Sequence, residues 1–225
     1  MAVLLITYYL KLITAVLFAI IMNKLTIDFY QREDVWQVAE ELLGKLLVTR
    51  FRGVETAGRI VECEVYAGVG DKASHAYGGR RTARNEAMYA AGGITYVYLC
   101  YGIHYLVNVV TGKQDVPHAI LLRGLEPVRG IPAMLRRTGK PKPDHSLTRG
   151  PGNLTKALGI DTSHNAENLL GKTIWLEDDG TRYSSDEIAK TPRIGVDYAA
   201  EDALLPYRYI VRGNPYVSGK KTANV

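Results

Sequence analysis

The sequence predicts an α+β fold: a single domain with a curved, mainly antiparallel β-sheet, a protruding β-hairpin and surrounding helices. Three observations lead there. With 225 residues, 47% of them hydrophobic, the chain can bury one sizeable core but scarcely two. The run Thr56–Tyr66 alternates with period two, as a half-buried strand does. The run Ile94–Val110 is apolar, rich in tyrosine and too long for one ordinary strand, with Tyr101-Gly102 near its middle. Glycine accepts positive φ, so this run reads as a hairpin with Tyr101 at its tip. No internal repeat, low-complexity segment or linker divides the chain.

In chain order, Val35–Leu47 has helical periodicity, with Asp34 as its N-cap. A strand near Leu46–Phe51 leads into a turn at Arg52-Gly53. The alternating strand follows. Period two puts Ile60, Glu62, Glu64 and Tyr66 on one face, toward a groove or solvent, and Val61, Cys63 and Val65 on the other, toward the core. Residues 67–93 are Gly-rich and irregular, with a short helix at Arg84–Ala91. Beyond the hairpin come a strand at His118–Leu125 ending at Pro127, a helix at Arg129–Thr138, a loop at Pro141–Gly150 and a short helix at Gly152–Leu158. Strands near Thr173–Glu177, Arg193–Val196 and Tyr207–Arg212 complete the domain.

The net charge is +5, and the basic residues are unevenly spread. Arg129, Arg136, Arg137, Lys140, Lys142 and Arg149 face Asp144 alone within residues 129–150. Such a cluster is either the footprint of a polyanion or a solvated basic loop. Cys63 and Cys100 lie in apolar runs and offer neither a disulfide framework nor metal spacing, so both read as buried free thiols. Residues 1–22 are almost wholly apolar, broken by Lys11, and long enough to span a bilayer. A lysine in mid-span costs about 2.5–3.5 kcal/mol there. A charged front end and a small-residue cleavage site, the marks of a signal peptide, are both missing. The expected reading is translation from Met22, which leaves residues 1–21 as an extension outside a domain of residues 22–225. A membrane anchor is the alternative.

Glu62 and Glu64 are neighbours on one strand face, a spacing of about 6.6–6.8 Å that an acid–base pair in glycoside cleavage could use. The bland reading makes either one an ordinary exposed glutamate, paired with Arg59 or a neighbouring strand. Glu64 leads directly to Tyr66 and the Gly-rich loop, which favours it as the functional carboxylate. Tyr66, Tyr96, Tyr98, Tyr101 and Tyr105 fall on elements expected to be adjacent. Packing explains some of them, but not an aromatic at a hairpin tip, which suits a wedge or a stacking platform. His75, in a loop of small residues, could stack on a planar ligand. Arg80, Arg81 and Arg84 around Gly78-Gly79, and the N–H groups of Gly150-Pro151-Gly152 before a helix, suit phosphates. The dinucleotide fingerprint, P-loop, His/Cys metal cluster and G-x-S-x-G elbow are all missing, so neither a nucleotide cofactor nor catalytic zinc has support. These parts suit an enzyme that extrudes a base from its stack and uses a carboxylate to activate water.

The ordered set of runs Arg59–Tyr66, Ser74-His75, Gly78-Gly79-Arg80-x-Thr82-x-Arg84-Asn85 and Tyr96-Val97-Tyr98-x-x-Tyr101-Gly102 with Asn108 resembles the alkyladenine (3-methyladenine) DNA glycosylase family, in its bacterial type. Leu121-Leu122-Arg123-x-Leu125-Glu126-Pro127, Gly150-Pro151 ahead of Leu154, and Val211-Arg212-Gly213-x-Pro215-x-Val217-Ser218 extend the likeness over about residues 25–218. The resemblance implies base excision repair, with Glu64 as the general base for a water and Arg123 as a second catalytic-site residue near the base and the DNA backbone. It implies Tyr66, His75 and Tyr98 as an aromatic sandwich for the flipped base, and the Ala73 carbonyl and His75 N–H as readers of its edge. Asn108 would crowd the 2-amino group of guanine, and Tyr101 would intercalate. Ile103 and His104 depart from the expected bulky contacts beside the wedge, and His104 could face a phosphate instead. The implied partner is duplex DNA with damaged purines, bound by a monomer that uses no cofactor or metal, in the cytoplasm at the nucleoid. A small-glycoside hydrolase built on Glu62 and Glu64, and a noncatalytic nucleic-acid-binding module, are the rival readings.

Overall fold

The computed structural model describes residues 24–219. The apolar extension and its expected boundary at Met22 lie outside them. Among the described residues, no helix is long and apolar enough to cross a membrane.

Among the described residues two helices come first, α1 (Ile27–Tyr30) and α2 (Val35–Leu42). The Asp34 carboxylate accepts from the Gln37 N–H at 2.9 Å and caps α2 as expected. α2 stops at Leu42 rather than Leu47, because Leu43 is extended and Gly44 takes a φ of 92°. Then follow β1 (Leu46–Phe51), β2 (Val54–Ala67), β3 (Thr95–Cys100), β4 (His104–Thr111) and β5 (His118–Arg129). Helices α3 (Ile131–Thr138) and α4 (Pro151–Leu158) precede β6 (Ile174–Glu177), β7 (Ile188–Thr191) and β8 (Arg208–Val211). The helix expected at Arg84–Ala91 is a single 3-10 turn, Glu86–Tyr89. The strand expected at Arg193–Val196 is absent, and β7 lies before it. Proline at 192 has no N–H for a ladder, and the Ile194 N–H goes to a carboxylate instead, that of Glu64.

The strands form one antiparallel sheet in the order β3-β4-β5-β2-β1-β6, with β8 on β2 and β7 on β8. β2 is its spine. β5 pairs with β2 along almost its whole length. On the other edge, β1 covers the first half of β2, and β8 covers Glu62–Glu64. That change of neighbour bends the sheet.

Alternation on β3–β5 sorts the side chains into two layers. Val97, Val107, Val109, Ile120 and Leu122 join the main core with Val38, Leu42, Leu154 and Leu158 from α2 and α4. Tyr96, Val110 and Ala119 point to the opposite face, where Ala76, Met88 and Tyr89 of the irregular loop cover them. The pocket lies on this second face.

The regular pairing of β2 with β5 breaks between Ala57 and Gly58 and again around Glu62. The register skips between Ile60 and Glu62 and again between Glu62 and Cys63, leaving Val61 on β2 and Arg123 on β5 without partners. Two compensating bulges stand side by side. As a result Ile60 and Val61 both enter the main core, correcting the assignment of Ile60 to the groove face. Glu62 and Glu64 are both fully buried rather than open to solvent. Gly124, opposite Glu62, has to be glycine: a Cβ there would come within 2.6 Å of the Tyr216 carbonyl and 3.1 Å of the Glu62 side chain.

Candidate active site

A cavity of about 650 Å³ opens on the loop-covered face. Its wall takes Tyr66 from β2, Tyr98 from β3, Asn108 from β4 and Arg123 from β5, with Ala73, His75 and Arg84 from the irregular loop. Tyr101, Gly150 and Gly152 edge it, so one cavity gathers most of the residues singled out in the sequence. Sheet register explains the convergence. Tyr96, Asn108, Leu121, Glu64 and Arg208 form one transverse row across five strands. Glu64 and Asn108 therefore sit two strand spacings apart, about 10 Å, on the same face.

Glu64 lies just behind the cavity wall, fully buried beneath Tyr66, Arg123 and Ile194. Its Oε1 accepts from the Ile194 N–H at 2.8 Å. Its Oε2 accepts from the Tyr66 hydroxyl at 3.1 Å and the Arg123 guanidinium at 3.2 Å. A carboxylate offers about four lone-pair positions, so three such bonds leave one for a water. Burial pushes the Glu64 carboxyl above its ordinary range, although Arg123 and the Ile194 N–H pull the other way. The result is a stronger base than a solvated glutamate.

Glu62 is used differently. Arg123 Nε, Arg208 Nε and the Ser218 hydroxyl converge on its Oε1 at 3.2, 2.7 and 2.9 Å. The Ser218 N–H donates to its Oε2 at 2.6 Å. This carboxylate ties β2 to β5, β8 and the C-terminal segment and does not reach the cavity wall. The two-carboxylate glycosidase thus loses its second member, and of the two partners expected for the glutamate, Arg59 pairs with Asp179 while the neighbouring strands supply Arg123 and Arg208. Burial works against the Arg123 charge, but the Glu64 and Glu62 carboxylates outweigh it and hold the guanidinium above its ordinary value.

The aromatic wall combines edge contacts of His75 with a tilted pair, Tyr96 and Tyr98. The rings of His75 and Tyr98 meet at 4.8 Å and 69°, and Tyr96 lies 5.2 Å from Tyr98. The Tyr96 hydroxyl meets His75 Nδ1 at 2.8 Å, and its carbonyl accepts from Asn108 Nδ2 at 2.9 Å. One buried tyrosine therefore fixes two cavity residues. Burial, then Arg84 and Arg80, lower the His75 pKa and favour the neutral ring.

Over residues 28–215 the chain matches the family described as Methylpurine-DNA glycosylase (MPG). It belongs to that family. Relatives named "Putative 3-methyladenine DNA glycosylase" include one from Chlamydia felis, 46% identical over 185 residues, which covers 82% of this chain and 94% of the relative. Another, from Alkaliphilus oremlandii, is 42% identical over 204 residues, 88% of this chain and all of the relative. As a DNA glycosylase, the chain has DNA as its substrate and N-glycosyl bonds as its chemistry.

At the glycosylase's hairpin tip, Tyr101 and Gly102 both take positive φ, 51° and 73°, and the Ile103 N–H closes the turn on the Cys100 carbonyl at 3.2 Å. This primed turn suits the twist of β3 and β4. It leaves the Tyr101 side chain 88% exposed, on a non-glycine backbone held in a sparse region. His104 packs on the start of α4, where a Cβ at Gly152 would lie 2.7 Å from its ring. Arg84 donates to the Leu99 carbonyl at 3.2 Å and lies 5.8 Å from the Tyr98 ring. Arg80 is exposed outside the cavity wall, and Arg81 is bound to Glu86 and Asp115. The basic stretch is largely internal wiring. Arg129 pairs with Glu177, Arg137 with the Ala157 carbonyl, Lys140 with Asp144, and Arg149 with the Val217 carbonyl. Cys63 is buried and free as expected, whereas Cys100 is only half-buried and lies on the cavity wall.

Sequence reasoning missed the pair Asp71–Arg193. Asp71 accepts from the Ala67 and Ala73 N–H groups at 3.0 Å each and holds Arg193 at 2.5 and 2.8 Å. Arg193 lies 5.0 Å from the Tyr66 ring and 5.2 Å from that of Tyr207. Together they set the backbone between Tyr66 and His75. Asn85 clamps the same loop from the far side, donating to the His75 and Arg80 carbonyls at 2.9 and 2.8 Å. Asn85 appears in the conspicuous run Arg80–Asn85, but no spacing rule links Asp71 to Arg193.

Proposed function

We propose that the chain is a monofunctional DNA glycosylase that hydrolyses the N-glycosidic bond of alkylated or deaminated purines flipped out of duplex DNA, in base excision repair. The substrates we assign are 3-methyladenine, 7-methylguanine, hypoxanthine and ethenoadenine. The observation that supports this most directly is Glu64: a buried, basic carboxylate with one acceptor position spare, set behind an aromatic cavity large enough for a purine. In this reading Arg80, Arg84 and the start of α4 at Gly150 and Gly152 meet the backbone, and Tyr101 fills the gap left by the extruded nucleotide. The purine enters between Tyr66, His75 and Tyr98. The Ala73 carbonyl and the His75 N–H read its edge, and Asn108 crowds a 2-amino group. Glu64 accepts a proton from water as the oxygen bonds to the sugar carbon, and the base departs with the electron pair of the broken C–N bond. Arg123 holds the Glu64 carboxylate in place. The enzyme acts as a monomer without metal or cofactor, in the cytoplasm at the nucleoid.

Incubation with duplexes carrying 3-methyladenine or inosine should release the free base and leave an abasic site that breaks only on alkaline treatment. Release of neither base, or strand cleavage without alkali, would refute the reading. Tyr101→Ser should weaken capture of a lesion duplex about tenfold or more, a loss on the scale of one stacked ring. Nonspecific, salt-dependent binding should change little. Titration of lesion and undamaged duplexes separates the two, and equal affinities for both before and after the change would remove the wedge role.

A further inference from the structure

Tyr198 stands over the cavity in a way that neither packing nor the proposed chemistry explains. Its side chain belongs to the 3-10 segment Asp197–Leu204, and the residue is 70% exposed. Yet its hydroxyl reaches inward and donates to the Ala73 carbonyl at 3.1 Å. The segment beneath it is firmly tied down. The Lys72 N–H donates to the Asp202 carboxylate at 2.8 Å, Lys72 pairs with Glu201, and Arg193 donates to the Asp202 carbonyl at 3.2 Å. The anchor is fixed and the ring is free on most of its surface. Such a side chain can leave its hydrogen bond by a rotamer change alone.

The base-excision reading assigns two backbone groups to this edge of the cavity, from the lining residues Ala73 and His75, and they differ in availability. Among the described residues the His75 N–H has no hydrogen-bond partner, whereas the Ala73 carbonyl is covered by Tyr198. With Tyr198 in place the edge therefore presents a donor and hides its acceptor. A purine with a keto oxygen at position 6 meets the open N–H and leaves Tyr198 undisturbed. A purine with a 6-amino group needs the Ala73 carbonyl, which the phenol already occupies on one lone pair, so the amine has to share that oxygen or displace the phenol.

We propose that Tyr198 is a specificity-determining residue, a removable cap on the Ala73 carbonyl that favours 6-keto over 6-amino purines. This rests on the base-excision reading above. The cap does not prevent binding of an amino purine; it sets a competition between two donors for one acceptor. A single neutral hydrogen bond is worth about fivefold in an equilibrium, which sets the expected size.

The test uses Tyr198→Phe, which keeps the ring and removes only the hydroxyl. Single-turnover excision is measured on duplexes carrying 3-methyladenine or inosine, over a range of enzyme concentrations. The ratio of excision efficiency, 3-methyladenine over hypoxanthine, should rise about fivefold. The change should come from half-saturation by the amino substrate, with its maximal rate unaltered. Tyr198→Leu should shift the ratio equally, since the hydroxyl alone sets it, while any lost ring contact affects both substrates alike. An unchanged ratio in both variants, or a fall in it, overturns the assignment. If the unaltered enzyme releases neither base, the base-excision reading itself fails. If it releases both and the ratio does not move, only the role of Tyr198 is lost.

Discussion

Glu64→Gln should cut base release by orders of magnitude while the protein still folds and binds lesion-bearing duplex. General-base catalysis contributes about 10²–10⁴-fold, and a loss within that range is expected in single-turnover rate. The substitution is nearly isosteric. The new amide can keep its oxygen on the Ile194 N–H and direct its nitrogen to the Tyr66 hydroxyl, which can accept as well as donate; it gives up the Arg123 bond, and that guanidinium keeps Glu62. The pH profile gives a second, independent reading. The base works as the carboxylate, and burial raises its pKa above the ordinary 4.5. Activity should therefore be full above that raised pKa and fall as pH drops through it, on an acid limb displaced upward from a solvated glutamate. The residual rate of Glu64→Gln should lack that limb. Base release, calorimetric melting and duplex affinity, measured together, separate chemistry from folding. Retention of the full rate would show that another group activates the water.

The sequence made the outline of this site legible because most of its signals are local. Period two placed Tyr66 beside Glu64, and their hydrogen bond is the i, i+2 contact which that geometry allows. Tyr101-Gly102 announced a turn, and the turn carries an exposed ring. What stayed hidden depends on distant pairing. The bulges at Val61 and Arg123 turn Glu62 from a groove carboxylate into the buried tie of three strands. Period-two counting cannot detect an extra residue. The partners of Glu62 and Glu64 come from positions 123, 194, 208 and 218, which only the closed sheet brings together. For the same reason composition could not sort the basic run at 129–150: Arg129 and Arg149 have partners within the fold, whereas Arg136 and Lys142 are exposed.

The second large effect follows from that buried network. Arg123→Met should cost about 3–5 kcal/mol of stability at neutral pH, the scale for removing one partner of a buried ion pair. The two carboxylates do not suffer equally. Glu62 keeps Arg208 at 2.7 Å, but Glu64 keeps only the neutral Tyr66 hydroxyl and the Ile194 N–H. Without the guanidinium the folded-state pKa of Glu64, already raised by burial, climbs further. A folded pKa above the unfolded one means stability that is fully present below the unfolded value and lost as pH rises through the folded value. The deficit of Arg123→Met relative to the unaltered protein should thus be large at pH 7.5 and shrink toward pH 5, as Glu64 takes up a proton. Urea midpoints at the two pH values measure this difference, with the unaltered protein run beside the variant to remove the general effect of acid. A double variant, Arg123→Met with Glu64→Gln, should recover much of the loss at neutral pH, because it removes the stranded charge. An equal deficit at both pH values with no recovery in the double variant would mean that Arg123 stabilises the sheet by packing across its bulge rather than by its charge. The same shift acts on catalysis: in whatever fraction of Arg123→Met stays folded, the acid limb of the rate should move toward neutral pH, because Glu64 acts as a base only after it gives up that proton.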